Sequence, residues 1–250
     1  MQDSLLTARE LLPNFTEAEG EHPPVSLQLP PQGICCLLGR RAGIREAYLK
    51  MLSGLDLPAA GELELLGLSG EKRLAEGRHL LGRQLGYVAR QAPLLSVLNG
   101  QENAIMPAVY HGAARHQALQ DLQQLLVELG FSGDLQQLPA YMTPLEKMQL
   151  ALARAALLQP QLLVLEDPWH SLERPDFALL ENCLGQWGQR LSLLVATAHL
   201  GFVRQYAEQL VFIGETQSYS FTSWQALVTS GIAEIQDYLE SYRSALDWKV

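Results

Sequence analysis

Apolar and polar positions alternate over Pro24–Leu29, with Val25, Leu27 and Leu29 on one side and Ser26 and Gln28 on the other. Period two marks a half-buried strand. Pro30, Pro31 and Gly33 break that run. Ile34-Cys35-Cys36-Leu37-Leu38 follows as a continuous apolar stretch, the pattern of a parallel strand covered on both faces. Gly39 to Gly43 reads as a turn, and Tyr48, Leu49 and Leu52 predict a helix over Ile44–Ser53, stopped by Gly54. Further strands are expected at 61–67 and 85–89, separated by a polar loop over 68–82. Three helices are expected next, over 98–111, 114–129 and Thr143–Leu158; Leu119, Leu122, Leu125, Leu126 and Leu129 give the second of them an apolar face. Strand, helix, strand, helix then recur over 162–165, 174–187, 191–197 and onward to about 209. A hairpin of 210–213 with 219–221 and two short helices over 223–229 and 232–245 close the chain.

This alternation predicts an α/β fold with a mostly parallel sheet covered by helices. The central run of helices predicts an inserted helical subdomain at about 93–159. The α/β core then covers about 1–92 and 160–222 of a single domain, with C-terminal helices over 223–250.

Composition narrows the function. The 250 residues are 48% hydrophobic, enough for a real core. Lys and Arg number 18 against 27 Asp and Glu, a net charge of −9, which disfavours a nucleic-acid partner. Cys35, Cys36 and Cys183 imply no disulfide framework. No signal peptide and no membrane-spanning apolar run is read in the chain, so a reduced cytoplasmic setting is expected.

Strand, glycine-containing turn and helix is the context of a phosphate-binding loop, where backbone N–H groups face an anion. The turn here reads Gly39-Arg40-Arg41-Ala42-Gly43-Ile44-Arg45-Glu46-Ala47 and lacks the full G-x-x-x-x-G-K-[ST] pattern. Its surroundings carry more. Ser53-Gly54-Leu55, Pro58-Ala59-Ala60-Gly61-Glu62, Gly86 to Gln91, Gln101-Glu102-Asn103 with Pro107, Ala151 to Ala155, Leu162 to Pro168 and Ser171-Leu172-Glu173 succeed one another at set intervals. In that order they resemble the motifs of the ATP-binding cassette family, the nucleotide-binding subunits of ABC transporters, from about Val25 to Leu239. The tail from Trp224 to Leu239 resembles the end of the ATPases of MCE-type lipid transport systems.

The resemblance implies a P-loop NTPase-like fold, ATP and Mg²⁺ as cofactors, and function as a dimer. Residues 39–47 fall on the Walker A loop and Phe15 on the adenine-stacking aromatic. Glu46, Arg90, Gln91 and Glu166 fall on the Mg²⁺ positions, and Met142 to Glu146, including Thr143, Pro144 and Leu145, on the signature motif. Glu166 and Asp167 fall on the Walker B acids, with His199 beside the switch histidine position.

At many of these positions the chain departs from the family. Ala42 and Ile44 replace glycines, and a β-branched residue does not readily take the backbone angles that glycine allows. Arg45 replaces the lysine, keeping its charge but not its shape. Glu46 replaces the Mg²⁺-binding hydroxyl; four residues before Lys50, it also suits a helix ion pair. Glu166 and Asp167 stand in inverted order, and Arg90 takes the place of the Q-loop glutamine. Thr143, Pro144 and Glu146 make a strong helix start in place of glycines. A second group of residues invites a partner: Trp169 and His170 follow the Walker B-like segment, where an exposed tryptophan would suit a subunit interface.

The resemblance therefore implies a transporter subunit with weak or absent hydrolysis, acting structurally or as a regulator on an integral-membrane permease and beside a second ATP-binding subunit. It would lie on the cytoplasmic face of the membrane. The alternatives are an active ATPase with non-standard site residues and a soluble regulatory module with no membrane partner.

Overall fold

The computed structural model describes residues 4–14, 22–70 and 83–243, which form two compact units. Phe15 lies outside the described residues.

The first unit contains residues 1–30, 34–70 and 195–250. Its antiparallel sheet runs β2 (Val25–Leu29), β1 (Leu6–Pro13), β4 (Pro58–Leu65), β5 (Leu68–Ser69). Strand β1 was not legible from periodicity because a bulge at Arg9–Glu10 interrupts the alternation. Glu10 takes φ 47°, and its N–H donates to Ser26 Oγ at 3.0 Å while Ser26 Oγ donates to Glu10 Oε1 at 2.8 Å. Opposite the bulge Gly61 takes φ +88°, and a Cβ there would lie 2.2 Å from the Glu10 carbonyl oxygen, so only glycine fits. Strand β5 begins within the segment expected to be a loop.

Strand β3 (Gly33–Leu38) is buried at every position, as its apolar run predicts. It pairs in parallel with β9 (Gln209–Ile213), Cys35 opposite Gln209 through Leu38 opposite Phe212. The terminal hairpin is present as β9 and β10 (Ser218–Phe221), antiparallel. Helix α1 (Ala42–Leu52) buries Tyr48, Leu49, Met51 and Leu52, and the Tyr48 hydroxyl donates to the Pro23 carbonyl.

The second unit contains residues 31–33 and 71–194. Strands β6 (Leu85–Val88) and β7 (Leu162–Glu166) pair in parallel, Leu85 opposite Leu162. Helices α2 (Gly100–Tyr110), α3 (Arg115–Glu128) and α4 (Pro144–Ala156) pack on one another, followed by α5 (Arg174–Gly188). A Cβ on Gly86 would lie 2.9 Å from the Ala155 carbonyl oxygen, so a glycine in β6 lets α4 approach it. Gln149 in α4 is buried and donates from Nε2 to the Leu129 carbonyl at 2.8 Å, which satisfies a polar group inside an apolar contact.

The chain passes between units within β8 (Ser192–Ala196). Helices α6 (Leu200–Tyr206), α7 (Trp224–Val228) and α8 (Ala233–Arg243) complete the first unit. Helix α8 is firmly seated, with Ile235 and Tyr238 fully buried and the Tyr238 ring edge-on to Phe212 at 5.1 Å. The α/β class and the parallel pairing of the inner strands agree with expectation. No described helix is long and apolar enough to cross a membrane.

Candidate functional site

In the first unit the site begins at Gly39, directly after β3. A Cβ on Gly39 would lie 2.9 Å from the Ile213 carbonyl oxygen, so the loop passes the end of β9 at the distance only glycine permits. Arg40 and Arg41 are exposed. Helix α1 starts at Ala42, two residues before the expected Ile44, because Arg41 already has the extended geometry of an N-cap. The Arg45 N–H then donates to the Arg41 carbonyl at 3.2 Å. Residues 42–45 are thus wound into the first helical turn. Gly43 faces open space and Ile44 is buried. The Arg45 side chain is 3% exposed and turns back, donating from Nη1 to the Gly39 carbonyl oxygen. Glu46 and Ala47 are half-buried on the same turn.

Beside this turn lies a cavity of ≈ 320 Å³ lined by His22, Gly39, Arg40, Arg41, Ile44 and Arg45, and also by Ile213, Gly214, Glu215 and Glu234. Glu234 comes from the first turn of α8, and its Oε1 accepts the Glu215 N–H at 2.7 Å. Gly214 makes room for it: a Cβ there would lie 2.4 Å from Glu234 Oε2. The cavity therefore carries guanidinium groups and carboxylates together. His22, Glu215 and Glu234 had no motif to mark them, because only the turn of the β9–β10 hairpin and the docking of α8 bring them here. His199 caps α6, and its N–H donates to Thr197 Oγ1 at 2.9 Å.

In the second unit the Walker B-like acids sit at the end of β7. Glu166 is 6% exposed, and its Oε2 accepts the Tyr87 hydroxyl at 3.1 Å. Asp167 takes φ 42°, a left-handed conformation that aspartate tolerates better than most residues. Its Oδ2 lies 4.0 Å from Arg90 Nη2, and the same Nη2 lies 2.8 Å from His170 Nδ1. Arg90, Glu166 and Asp167 are thus gathered, joined by Tyr87 and His170, while Gln91 is exposed beside them. Trp169 is only 3% exposed, which corrects the expectation of an exposed interface tryptophan: the turn after Pro168 folds its ring inward. Among the described residues no three His, Cys, Asp or Glu side chains are grouped as ligands for a metal ion.

The signature-position residues form the start of α4. Thr143 Oγ1 accepts the Glu146 N–H at 3.2 Å, and Glu146 Oε2 accepts the Thr143 N–H at 2.7 Å. Pro144 opens the helix, and Leu145 follows it half-buried. The capping box read from the sequence is present.

Helix α2 has a capping box too, Asn99 with Glu102. Asn103, fully buried, accepts the Leu95 N–H at 2.7 Å and donates to the Leu95, Leu98 and Asn99 carbonyls. One amide side chain so fixes the loop ahead of the helix. Next to it an open groove of ≈ 380 Å³ is lined by Leu98, Glu102, Ile105, Met106, Val109, Tyr110 and Arg115. Tyr110 is 84% exposed.

Burial pushes the Cys35 thiol up to about 12 and Cys183 to about 12, and Cys36 well above the ordinary range, so none is a nucleophile.

Residues 24–170 match the family model described as ABC transporter. The lipoprotein-releasing system ATP-binding protein LolD of Idiomarina loihiensis is 27% identical over 220 residues, 84% of this chain and 93% of LolD. Among solved structures, CbiO1 from Clostridium perfringens, part of the ABC transporter complex CbiONQ, aligns with TM-score 0.78 at 15% identity over 98% of this chain and 97% of its own. The ATP-binding cassette MJ0796, in a dimeric post-hydrolysis state bound to ADP and Pi, aligns with TM-score 0.73 at 16% identity over 87% of this chain and 98% of its own. With the family model spanning more than half of the sequence and the cassette fold running through nearly all of it, the protein belongs to the ABC transporter family, as an ATP-binding-cassette subunit.

Proposed function

We propose that this chain is a non-hydrolysing cassette subunit, serving a membrane transporter as a structural or regulatory half beside a second ATP-binding subunit. ATP and Mg²⁺ are the ligands its family implies. The observation that carries the proposal is the loop after β3. A phosphate cradle needs several backbone N–H groups converging on one anion. Here residues 42–45 are wound into helix, the Arg45 amide is spent on the Arg41 carbonyl, and its guanidinium is turned onto the Gly39 carbonyl. Glu46 brings a carboxylate where the family has a metal-binding hydroxyl, and Glu215 and Glu234 add two more to the cavity wall. Acids in those places repel a polyphosphate, so these residues do not fit Mg·ATP.

The groove along α2 supports a permease as partner. Exposed Met106, Val109 and Tyr110 form an apolar edge on a capped, internally braced helix. In LolD and CbiO1 the names themselves speak of a lipoprotein-releasing system and a transporter complex. By likeness this chain serves at the cytoplasmic face of such a complex, paired with a second cassette as MJ0796 is with its copy.

Calorimetric titration of the full chain with ATP, with and without Mg²⁺, tests the proposal. The expected result is no saturable heat up to millimolar nucleotide. Micromolar, Mg²⁺-dependent binding, together with turnover by the purified complex that Asp167→Asn abolishes, would overturn it in favour of an active ATPase.

A further inference from the structure

In the second unit two neighbouring carboxylates stand at the end of β7, one partnered from β6 itself and the other from the segment that follows β6. Tyr87 donates its hydroxyl to Glu166 Oε2 at 3.1 Å, and Arg90 Nη2 stands 4.0 Å from Asp167 Oδ2. The Arg90 and Asp167 side chains are 27% and 15% exposed, so salt screens their attraction less than it would a surface pair. The same Nη2 reaches His170 Nδ1 at 2.8 Å. Arginine has no acceptor, so in this contact Nη2 is the donor and Nδ1 the acceptor. One guanidinium thus bridges an acid and an imidazole three residues apart on the turn Asp167–His170.

A divalent ion at these acids would take oxygen ligands at close range, and a fixed positive charge beside them would repel it. Arg90 is such a charge. We propose that Arg90 is a built-in cation: a positioning residue whose guanidinium meets the charge of Asp167, so that the 87–90 segment and the 166–170 turn are held together without metal. Both approaches are made by one nitrogen of the guanidinium, Nη2. This pairing holds whether or not the loop of the first unit binds nucleotide, and the two proposals are read by different measurements.

Thermal unfolding of the full chain, in EDTA and in millimolar Mg²⁺ or Mn²⁺, supplies the test. The wild-type midpoint is expected to be the same in all three. Arg90→Gln is expected to lower it by about 2–4 °C in EDTA, with recovery when either ion is added. Arg90→Lys, which keeps a point charge, should fall between the two and show no response to metal. Adding Asp167→Asn to Arg90→Gln should abolish the metal response, since the acid that attracts the ion is gone. A wild-type midpoint that rises with Mg²⁺ would overturn the proposal, because the site would then already take the ion. Arg90→Gln melting like wild type, or melting lower with no response to metal, would overturn it equally and leave Arg90 a packing residue. Neither outcome bears on ATP titration, which judges the first proposal alone.

Discussion

Glu128, the last residue of α3, is held by two partners, Trp187 and Arg190. Its Oε2 accepts the Trp187 Nε1–H at 3.0 Å and an Arg190 N–H at 2.5 Å, and its Oε1 accepts a second Arg190 N–H at 3.2 Å. The Arg190 fork also lies 5.6 Å from the centre of the Trp187 ring. The Arg190 hydrogen bond, ahead of the opposing effect of burial, holds the Glu128 carboxyl below its ordinary value of 4.5. A depressed folded pKa gives a sign. The contribution of Glu128 is complete above the unfolded pKa and is lost as pH falls through the folded one. Urea midpoints measured from pH 7 down to pH 3 should therefore fall less steeply below pH 4.5 in Glu128→Gln than in wild type. Equal slopes would show the pairing to be dissipated by solvent. Trp187 is 1% exposed, so removing Glu128 also leaves a buried N–H to find another acceptor.

At the scale of elements, a capped helix start occupies the segment that the resemblance places at the signature motif. The turn before α4 is built by Thr143, Pro144 and Glu146, each with a capping role visible in hydrogen bonds. Those bonds consume the N–H groups of Thr143 and Glu146, and Pro144 has none. The segment is therefore a stability element. Thr143→Ala should cost about 0.5–2 kcal/mol of unfolding free energy in urea melts. It should leave co-purification with a membrane partner unchanged, and losing the partner without losing stability would reassign the segment to recognition. Helix α1 tells a related story from the other side, since it starts early without any side-chain cap and folds Arg45 beneath its own first turn.

For the molecule as a whole, the groove along α2 is an open face among the described residues. Met106, Val109 and Tyr110 are apolar and exposed there, between Glu102 and Arg115, on a helix whose approach is braced by buried Asn103. Tyr110→Ala combined with Met106→Asp should leave the melting temperature within a degree or so of wild type, as surface changes usually do. The same pair should abolish recovery of a polytopic membrane protein with the chain from detergent extracts. Retained recovery would move the docking surface elsewhere, and a chain that never brings down a membrane protein would favour a soluble regulatory role.

Much of this was legible along the chain. The apolar run of β3, the alternation of β2, the capping box of α4 and the order of the cassette-like motifs are local patterns, and local hydrogen bonding and side-chain spacing decide them. The loss of glycines and lysine after β3 could be read the same way, since a residue type limits its own backbone. Strand β1 escaped because its bulge breaks period two, and its pairing with Ser26 and Gly61 joins distant segments. Trp169 escaped because burial belongs to the surroundings of a side chain and not to its type. What only tertiary structure decided is the company each charged group keeps: Arg90 with Asp167 and His170, Tyr87 with Glu166, Glu234 with the turn after β9. Sequence states which charges a chain carries, but the energy of a charge depends on distance and on the medium between, and these exist only once the chain has folded.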